Sequence, residues 1–279
     1  MPELPEVETI RLSLEKNLVG KVINSVTVLE PKQFVGDKNL IIGQSITSIE
    51  RKGKVISIKL SNYYYISIHL KLSGQLLYGD NKDQSTFKNI IPRANSTTLP
   101  SSTTRIVIGF NDNSGLFFND LRKFGWIKLG KNPEFPPSID VLSEEFTPEY
   151  FKSIVNKSGK PIKVLLMEQD KLAGIGNIYA NDSLWEAKIN PLRKANTLTA
   201  DETNQLYNAI KKTISESLRL KGSSAKDELY VLPDSSKGEY QNHFKVYHRD
   251  GKPCLRDNTM IMRVKQAGRG TFYCPTCQQ

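Results

Sequence analysis

Pro2-Glu3-Leu4-Pro5-Glu6-Val7-Glu8, continued through Leu18, decides the fold class: it is one helical pattern standing ahead of a long β-rich run. Val7, Ile10, Leu14 and Leu18 share a stripe at helical spacing. Beyond Lys21 the pattern turns to short strands, at 22–29, 55–60, 63–70, 105–110 and 115–119, with Asp112-Asn113-Ser114-Gly115 as a hairpin turn. Strands that follow one another without helices between them pack as an antiparallel β-sandwich or flattened barrel. Helical patterns return at 148–220, interrupted at Gly174-Ile175-Gly176-Asn177 and at Asn190-Pro191. The expected architecture is α+β in two lobes, with the Pro-rich stretch 131–138 as linker. Residues 80–104 are expected to form a surface loop and residues 222–241 a mobile one, both being polar.

Composition narrows the function. A chain of 279 residues is long enough for two domains. Lys and Arg number 39 against 29 acids, a net charge of +10 that suits a polyanionic partner such as nucleic acid. No apolar run reaches transmembrane length, and Glu3, Glu6 and Glu8 exclude a signal peptide, so a soluble, cytoplasmic protein is expected. The three cysteines, Cys254, Cys274 and Cys277, cluster near the C-terminus, which in an intracellular chain favours metal over disulfide.

Several groups carry chemistry. Removal of Met1 would expose the secondary amine of Pro2, titrating near ~8 and partly neutral at working pH. Such an amine can form a Schiff base at a carbon bearing a leaving base, while Glu3 or Glu6 donates a proton. An ordinary helix start, with Pro in the first turn and Glu favouring the dipole, also accounts for these residues. Cys254-x2-Asp257 is followed, sixteen residues on, by Cys274-x2-Cys277, a zinc spacing with Asp in place of one thiolate. A metal-free hairpin is the alternative. Gly174 and Gly176 permit close backbone approach, and Asn177 is placed to cap the next helix, whose free N–H groups can hold a phosphate; a plain helix–turn–helix hairpin without ligand is the alternative. Lys54 opens a strand after Arg51-Lys52-Gly53. Arg122 and Phe124, two apart, can project together into the gap left by an extruded nucleotide, or Phe124 can simply pack inward.

Together these residues resemble the formamidopyrimidine-DNA glycosylase family of base-excision repair enzymes. The resemblance runs through Pro2 to Glu8, Lys54, His69-Leu70-Lys71-Leu72-Ser73-Gly74, Asp120 to Gly125, Gly174 to Ala180, and Gly268-Arg269-Gly270-Thr271 with Cys274 and Cys277. Leu4 and Val7 fit the formamidopyrimidine branch better than the endonuclease VIII branch, which opens Pro-Glu-Gly-Pro-Glu. The resemblance implies a catalytic helix and β-sandwich at 1–132, a linker at 133–138, a helix–two-turn–helix DNA-binding module at 139–222, and a lesion-recognition loop with a zinc-finger hairpin at 223–279. It implies a monomer with damaged double-stranded DNA in a cleft between its lobes. Pro2 becomes the nucleophile, Glu3 the general acid and Glu6 a support. Lys54, Asn177 and Arg269 grip phosphates with Lys163 nearby, and Leu72, Arg122 and Phe124 fill the void. One structural zinc is implied, on Cys254, Asp257, Cys274 and Cys277.

Three departures qualify the resemblance. Leu72 stands where the family has Met, keeping bulk but losing flexibility. Leu121 and Lys123 replace Pro and Arg; Lys123 is expected to remain a phosphate cation without the bidentate fork. Asp257 replaces a zinc Cys. The implied activity is a bifunctional glycosylase and AP lyase excising oxidised purines by β,δ-elimination. The rival readings are an endonuclease VIII-like preference for oxidised pyrimidines and a damaged-DNA-binding protein without catalysis; intact Pro2, Glu3 and Lys54 oppose the second.

Overall fold

A computed structural model of the chain describes residues 1–90, 97–224 and 229–279. They form two compact units, Met1–Phe135 with Leu220–Gln241, and Pro136–Arg219 with Asn242–Gln279.

In the first unit, α1 (Leu4–Leu18) has Glu3 as its N-cap and Pro5 in its first turn. Leu4, Val7, Ile10, Leu14 and Leu18 are fully buried. Burial of each such side chain contributes about 1.5–3 kcal/mol. There follow β1 (Ile23–Val28), β2 (Phe34–Val35), β3 (Ile46–Lys52), β4 (Val55–Leu60), β5 (Tyr65–His69), β6 (Gly74–Gly79), β7 (Ser85–Thr86), β8 (Thr98–Leu99), β9 (Thr104–Phe110), β10 (Gly115–Asp120) and β11 (Trp126–Gly130). One sheet runs β1-β9-β10-β6 and the other β2-β11-β5-β4-β3. Pairing is antiparallel except for β2 beside β11. Apolar residues of both sheets and of α1 share one core. Asn113, at φ +71, turns the chain from β9 to β10 where the sequence placed a hairpin.

Two polar stretches are better held than their composition suggested. Within 80–104, β7 pairs with β8, and Phe87 and Leu99 bury against Phe117 in a second small core; residues 91–96 lie outside the described residues. Within 222–241, the apolar triplet Tyr230-Val231-Leu232 is buried, Tyr230 and Leu232 in the main core. The segment is therefore anchored rather than mobile over its described part, which excludes 225–228. Tyr78 N–H donates to Pro233 O at 2.8 Å, and the Gln75 amide to Leu229 O at 2.6 Å. The Pro-rich stretch is pinned where Glu134 N–H meets Ser67 Oγ at 3.0 Å.

The second unit opens with β12 (Ile139–Asp140), then α2 (Pro148–Asn156), α3 (Ile162–Leu166), β13 (Leu172–Ala173), α4 (Asn177–Glu186), α5 (Ala200–Arg219) and a hairpin of β14 (Met262–Gln266) and β15 (Arg269–Tyr273). Thr147 caps α2 by accepting from Tyr150 N–H at 3.2 Å. Phe146, Phe151 and Tyr207 pack as an aromatic cluster, with Phe146 and Tyr207 centroids 4.9 Å apart. Two polar side chains of the buried α4 fix the C-terminal segment. Asn181 Oδ1 accepts from Phe272 N–H at 2.8 Å, and the Asp182 carboxylate accepts from the N–H groups of Lys245, Val246 and Tyr247 at 3.0–3.1 Å. Among the described residues no helix is long and apolar enough to cross a membrane.

Candidate functional site

The helix start that carries Pro2 is buried. Met1 precedes it, so the Pro2 nitrogen is an amide until Met1 is removed. Glu3 and Glu6 lie one turn apart, 3% and 1% exposed. Glu3 N–H donates to Glu6 Oε2 at 2.8 Å, and Ser223 N–H donates to the other oxygen, Oε1, also at 2.8 Å. Tyr230 donates its hydroxyl to Lys221 O at 2.9 Å; burial first, and then the Glu6 charge, push its phenol well above the ordinary range.

Lys54 sits at a hairpin tip. Lys52 pairs with Val55, which leaves Gly53-Lys54 as a two-residue turn, and Gly53 at φ +58 supplies the left-handed residue it needs. Arg51 braces that tip against α1: one nitrogen donates to Gly53 O at 3.0 Å and another to the Glu8 carboxylate at 2.8 Å. His69 lies across the sheet from Val55. Burial, helped by the positive charges of Lys71 and Lys54, pushes His69 down to about 3. Its Nδ1 accepts from Lys71 N–H at 3.0 Å, so the neutral ring offers Nε2–H as a donor.

Leu72 and Phe124 are both exposed apolar side chains, and the Arg122 guanidinium lies 5.2 Å over the Phe124 ring. Arg122 and Phe124 thus project together, as their spacing suggested. A fully buried carboxylate, Asp120, holds this arrangement: it accepts from Gly125 N–H at 2.7 Å, Gln33 Nε2 at 2.8 Å and Arg122 N–H at 3.2 Å, and closely from Ser73 Oγ. Ser73 Oγ also accepts from Arg122 N–H at 2.9 Å, which ties the Leu72 loop to the Arg122 loop. Lys123 differs from expectation. Its ammonium is paired with Glu30 at 2.5 Å, and that bond holds the Glu30 carboxyl below its usual range.

In the second unit, α4 takes Gly176 as its N-cap and begins at Asn177, so Asn177 is the first helical residue rather than the cap. The carbonyl of Asn177 accepts from the Asn181 amide at 2.6 Å. Arg269 is exposed at the head of β15, just after a turn in which Ala267 and Gly268 have φ +47 and +77. Lys163, 1% exposed, reaches beneath this hairpin and donates to Gly270 O and Thr271 Oγ1, both at 2.8 Å. These two bonds hold the hairpin that presents Arg269.

Ligand atoms of Cys254, Asp257, Cys274 and Cys277 all lie within 4.8 Å of one another. The Cys254 and Cys277 sulfurs are 3.8 Å apart, and Cys274 Sγ lies 3.4–3.5 Å from the Asp257 oxygens. A tetrahedral zinc with Zn–S near 2.3 Å and Zn–O near 2.0–2.2 Å requires edges of roughly 3.8 and 3.5 Å. The four donors therefore fit zinc, with Asp257 supplying an oxygen. Trp185 Nε1–H donates to Cys254 Sγ at 3.3 Å, steadying that sulfur as a ligand.

Asp120, Ser73, Gln33 and Arg51 were given no part in the sequence reading. Asp120 and Ser73 stood inside recognisable motifs, but nothing local marks Gln33, whose partners Asp120 and Gly125 lie far along the chain, or the reach of Arg51 to Glu8.

Comparisons with known proteins agree along the whole length. Residues 1–127 match the formamidopyrimidine-DNA glycosylase N-terminal domain, residues 138–228 its H2TH domain, and residues 251–279 a zinc finger found in FPG and IleRS. A formamidopyrimidine-DNA glycosylase of Carboxydothermus hydrogenoformans is 37% identical over 287 residues, covering 100% of both chains. The crystal structure of the MutM (FPG) protein of Thermus thermophilus superposes with a TM-score of 0.86 at 31% identity, over 99% of this chain and 98% of that one. A Lactococcus lactis FPG mutant in complex with DNA containing Fapy-dG superposes with a TM-score of 0.84 at 31% identity, over 100% of both.

Proposed function

The chain belongs to the formamidopyrimidine-DNA glycosylase family, a DNA glycosylase of damaged DNA, and from that premise we propose that it excises oxidised purines and then cuts the strand as an AP lyase. The buried pair of Glu3 and Glu6 at the start of α1, directly after Pro2, carries this reading. With Met1 removed, the neutral Pro2 amine attacks C1′ of the damaged nucleotide. Glu3, as the acid, protonates O4′ as the sugar ring opens, and the base departs with its bonding pair and takes up a proton. The secondary amine is left as an iminium ion. Loss of a C2′ proton expels the 3′ phosphate, a second elimination expels the 5′ phosphate, and water releases the sugar fragment from Pro2.

The remaining residues bind and shape the DNA. Lys54, Arg269 and the N–H groups at the start of α4, beside Asn177, contact phosphates. Leu72, Arg122 and Phe124 occupy the space an extruded nucleotide leaves. Lys163 acts by holding the hairpin of Arg269. Zinc, held by Cys254, Asp257, Cys274 and Cys277, supplies rigidity to that hairpin and no chemistry at the sugar.

The test is borohydride trapping on an 8-oxoguanine duplex, with a thymine glycol duplex alongside. A covalent adduct mapped to the N-terminal peptide, formed preferentially with 8-oxoguanine, is expected. Mapping to Lys54 would remove Pro2 from its role, and preference for thymine glycol would move the substrate class to oxidised pyrimidines.

A further inference from the structure

Glu6 is shared between two distant pieces of chain in the first unit. One carboxylate oxygen accepts the Glu3 N–H and the other the Ser223 N–H, a residue 217 positions away. A carboxylate can accept at both oxygens, whereas Gln offers one acceptor and would turn its own N–H groups on the other donor. The partner segment is shaped to this carboxylate. Gly222 has φ +77, and a Cβ there would stand 2.8 Å from Glu6 Oε1 and 2.9 Å from its Cγ. Across the base of the segment, Tyr240 N–H donates to Gly222 O at 2.9 Å, and a Cβ on Gly238 would stand 2.3 Å from that oxygen. Two glycines thus let the chain close directly onto Glu6.

We propose that Glu6 is a clasp between the catalytic helix start and the base of the 222–241 segment, so that the state of that segment sets the geometry of Pro2 and Glu3. Glu6 is then a positioning residue, and the segment influences chemistry at the sugar even when no base is present to be held. This deepens the proposed function and rests on it for the roles of Pro2 and Glu3.

The discriminating substrate is an abasic-site duplex, which has no base for the segment to touch. Gly222→Ala, which presses on Glu6 from the segment side, should slow borohydride trapping on this duplex about tenfold or more, the loss of one hydrogen bond to a charged group, with DNA affinity retained. Trapping at the wild-type rate would overturn the clasp. In Glu6→Gln, amide hydrogen exchange at Glu3 or Ser223 should accelerate by a similar factor, while amides elsewhere in α1 keep their protection. Unchanged exchange at both amides would overturn it equally, and this variant carries the test if Gly222→Ala does not fold. If the wild-type protein traps no adduct at all, the catalytic reading fails, and the exchange measurement alone judges the clasp.

Discussion

Glu3 can open a sugar ring only as an acid, and its carboxyl is nearly the same shape as an amide. Glu3→Gln is therefore expected to lower single-turnover excision of 8-oxoguanine by about 10²–10⁴-fold, the usual worth of a placed proton donor, with little change in affinity for the same duplex. Parallel losses in excision and binding would mean that Glu3 serves placement instead. His69 makes a second residue-scale case. Its pKa falls from the ordinary 6.5 to about 3 in the fold, so between those values the unfolded chain binds a proton that the folded chain refuses. The stabilisation is complete above pH 6.5 and is lost as pH falls toward 3, at up to about 1.4 kcal/mol per pH unit. His69→Gln should flatten the dependence of thermal stability on pH in that window; an unaltered profile would show that other groups set it. Pro2 and Glu3 could be singled out in the sequence because the chemistry proposed for them lies in a short local motif, and Lys54 because it opens a strand after Arg51-Lys52-Gly53. Asp120 was quoted in a motif, yet its task was hidden, because two of the donors that define it come from residues 33 and 73.

At the scale of elements, five strands of the sandwich, β1, β4, β5, β9 and β10, were legible from β-rich runs and turn residues to within a residue or two at their ends, whereas β2, β3, β6 and β11 were not singled out. The misreadings arose where a few apolar side chains outweighed a polar average. Tyr230, Val231 and Leu232 anchor a stretch that reads as Ser-, Lys- and Gly-rich, and Phe87 and Leu99 do the same within 80–104. Asn177 at the head of α4 was misplaced by one position, since Gly176 can serve as a cap without a side chain. The zinc hairpin shows spacing at its most informative, because four donors at fixed intervals keep their geometry when one changes from sulfur to oxygen. Exchange of a thiolate for a carboxylate should weaken the site, as zinc is held better by soft sulfur. Asp257→Cys is thus expected to slow zinc release to a chelator while leaving excision near the wild-type rate. The hairpin is also held by Lys163 and by Asn181, so stripping the metal should reduce activity rather than unfold the unit. Metal analysis that finds no zinc in fully active protein would contradict the assignment.

For the whole molecule, a net charge of +10 says little until the cations are sorted by what neutralises them. Lys212 is paired with Glu186 at 2.5 Å, Lys245 with Glu216 at 2.9 Å, Lys123 with Glu30 at 2.5 Å and Arg193 with Glu202 at 2.5 Å. Such pairs have little charge left to displace counterions from a DNA backbone. Among the described residues, Arg269 is exposed with no carboxylate partner, and Arg122 rests on an aromatic ring instead of an acid. Affinity for duplex DNA should accordingly fall linearly in a log–log plot against salt, with a slope near −0.9 for each phosphate neutralised. Arg269→Ala should flatten that slope by about 1. Lys212→Ala removes one positive charge as well, but from a pair, and should leave the slope where it was. Equal flattening by both variants would mean that total charge, not the placement of unpaired cations, governs the encounter with DNA.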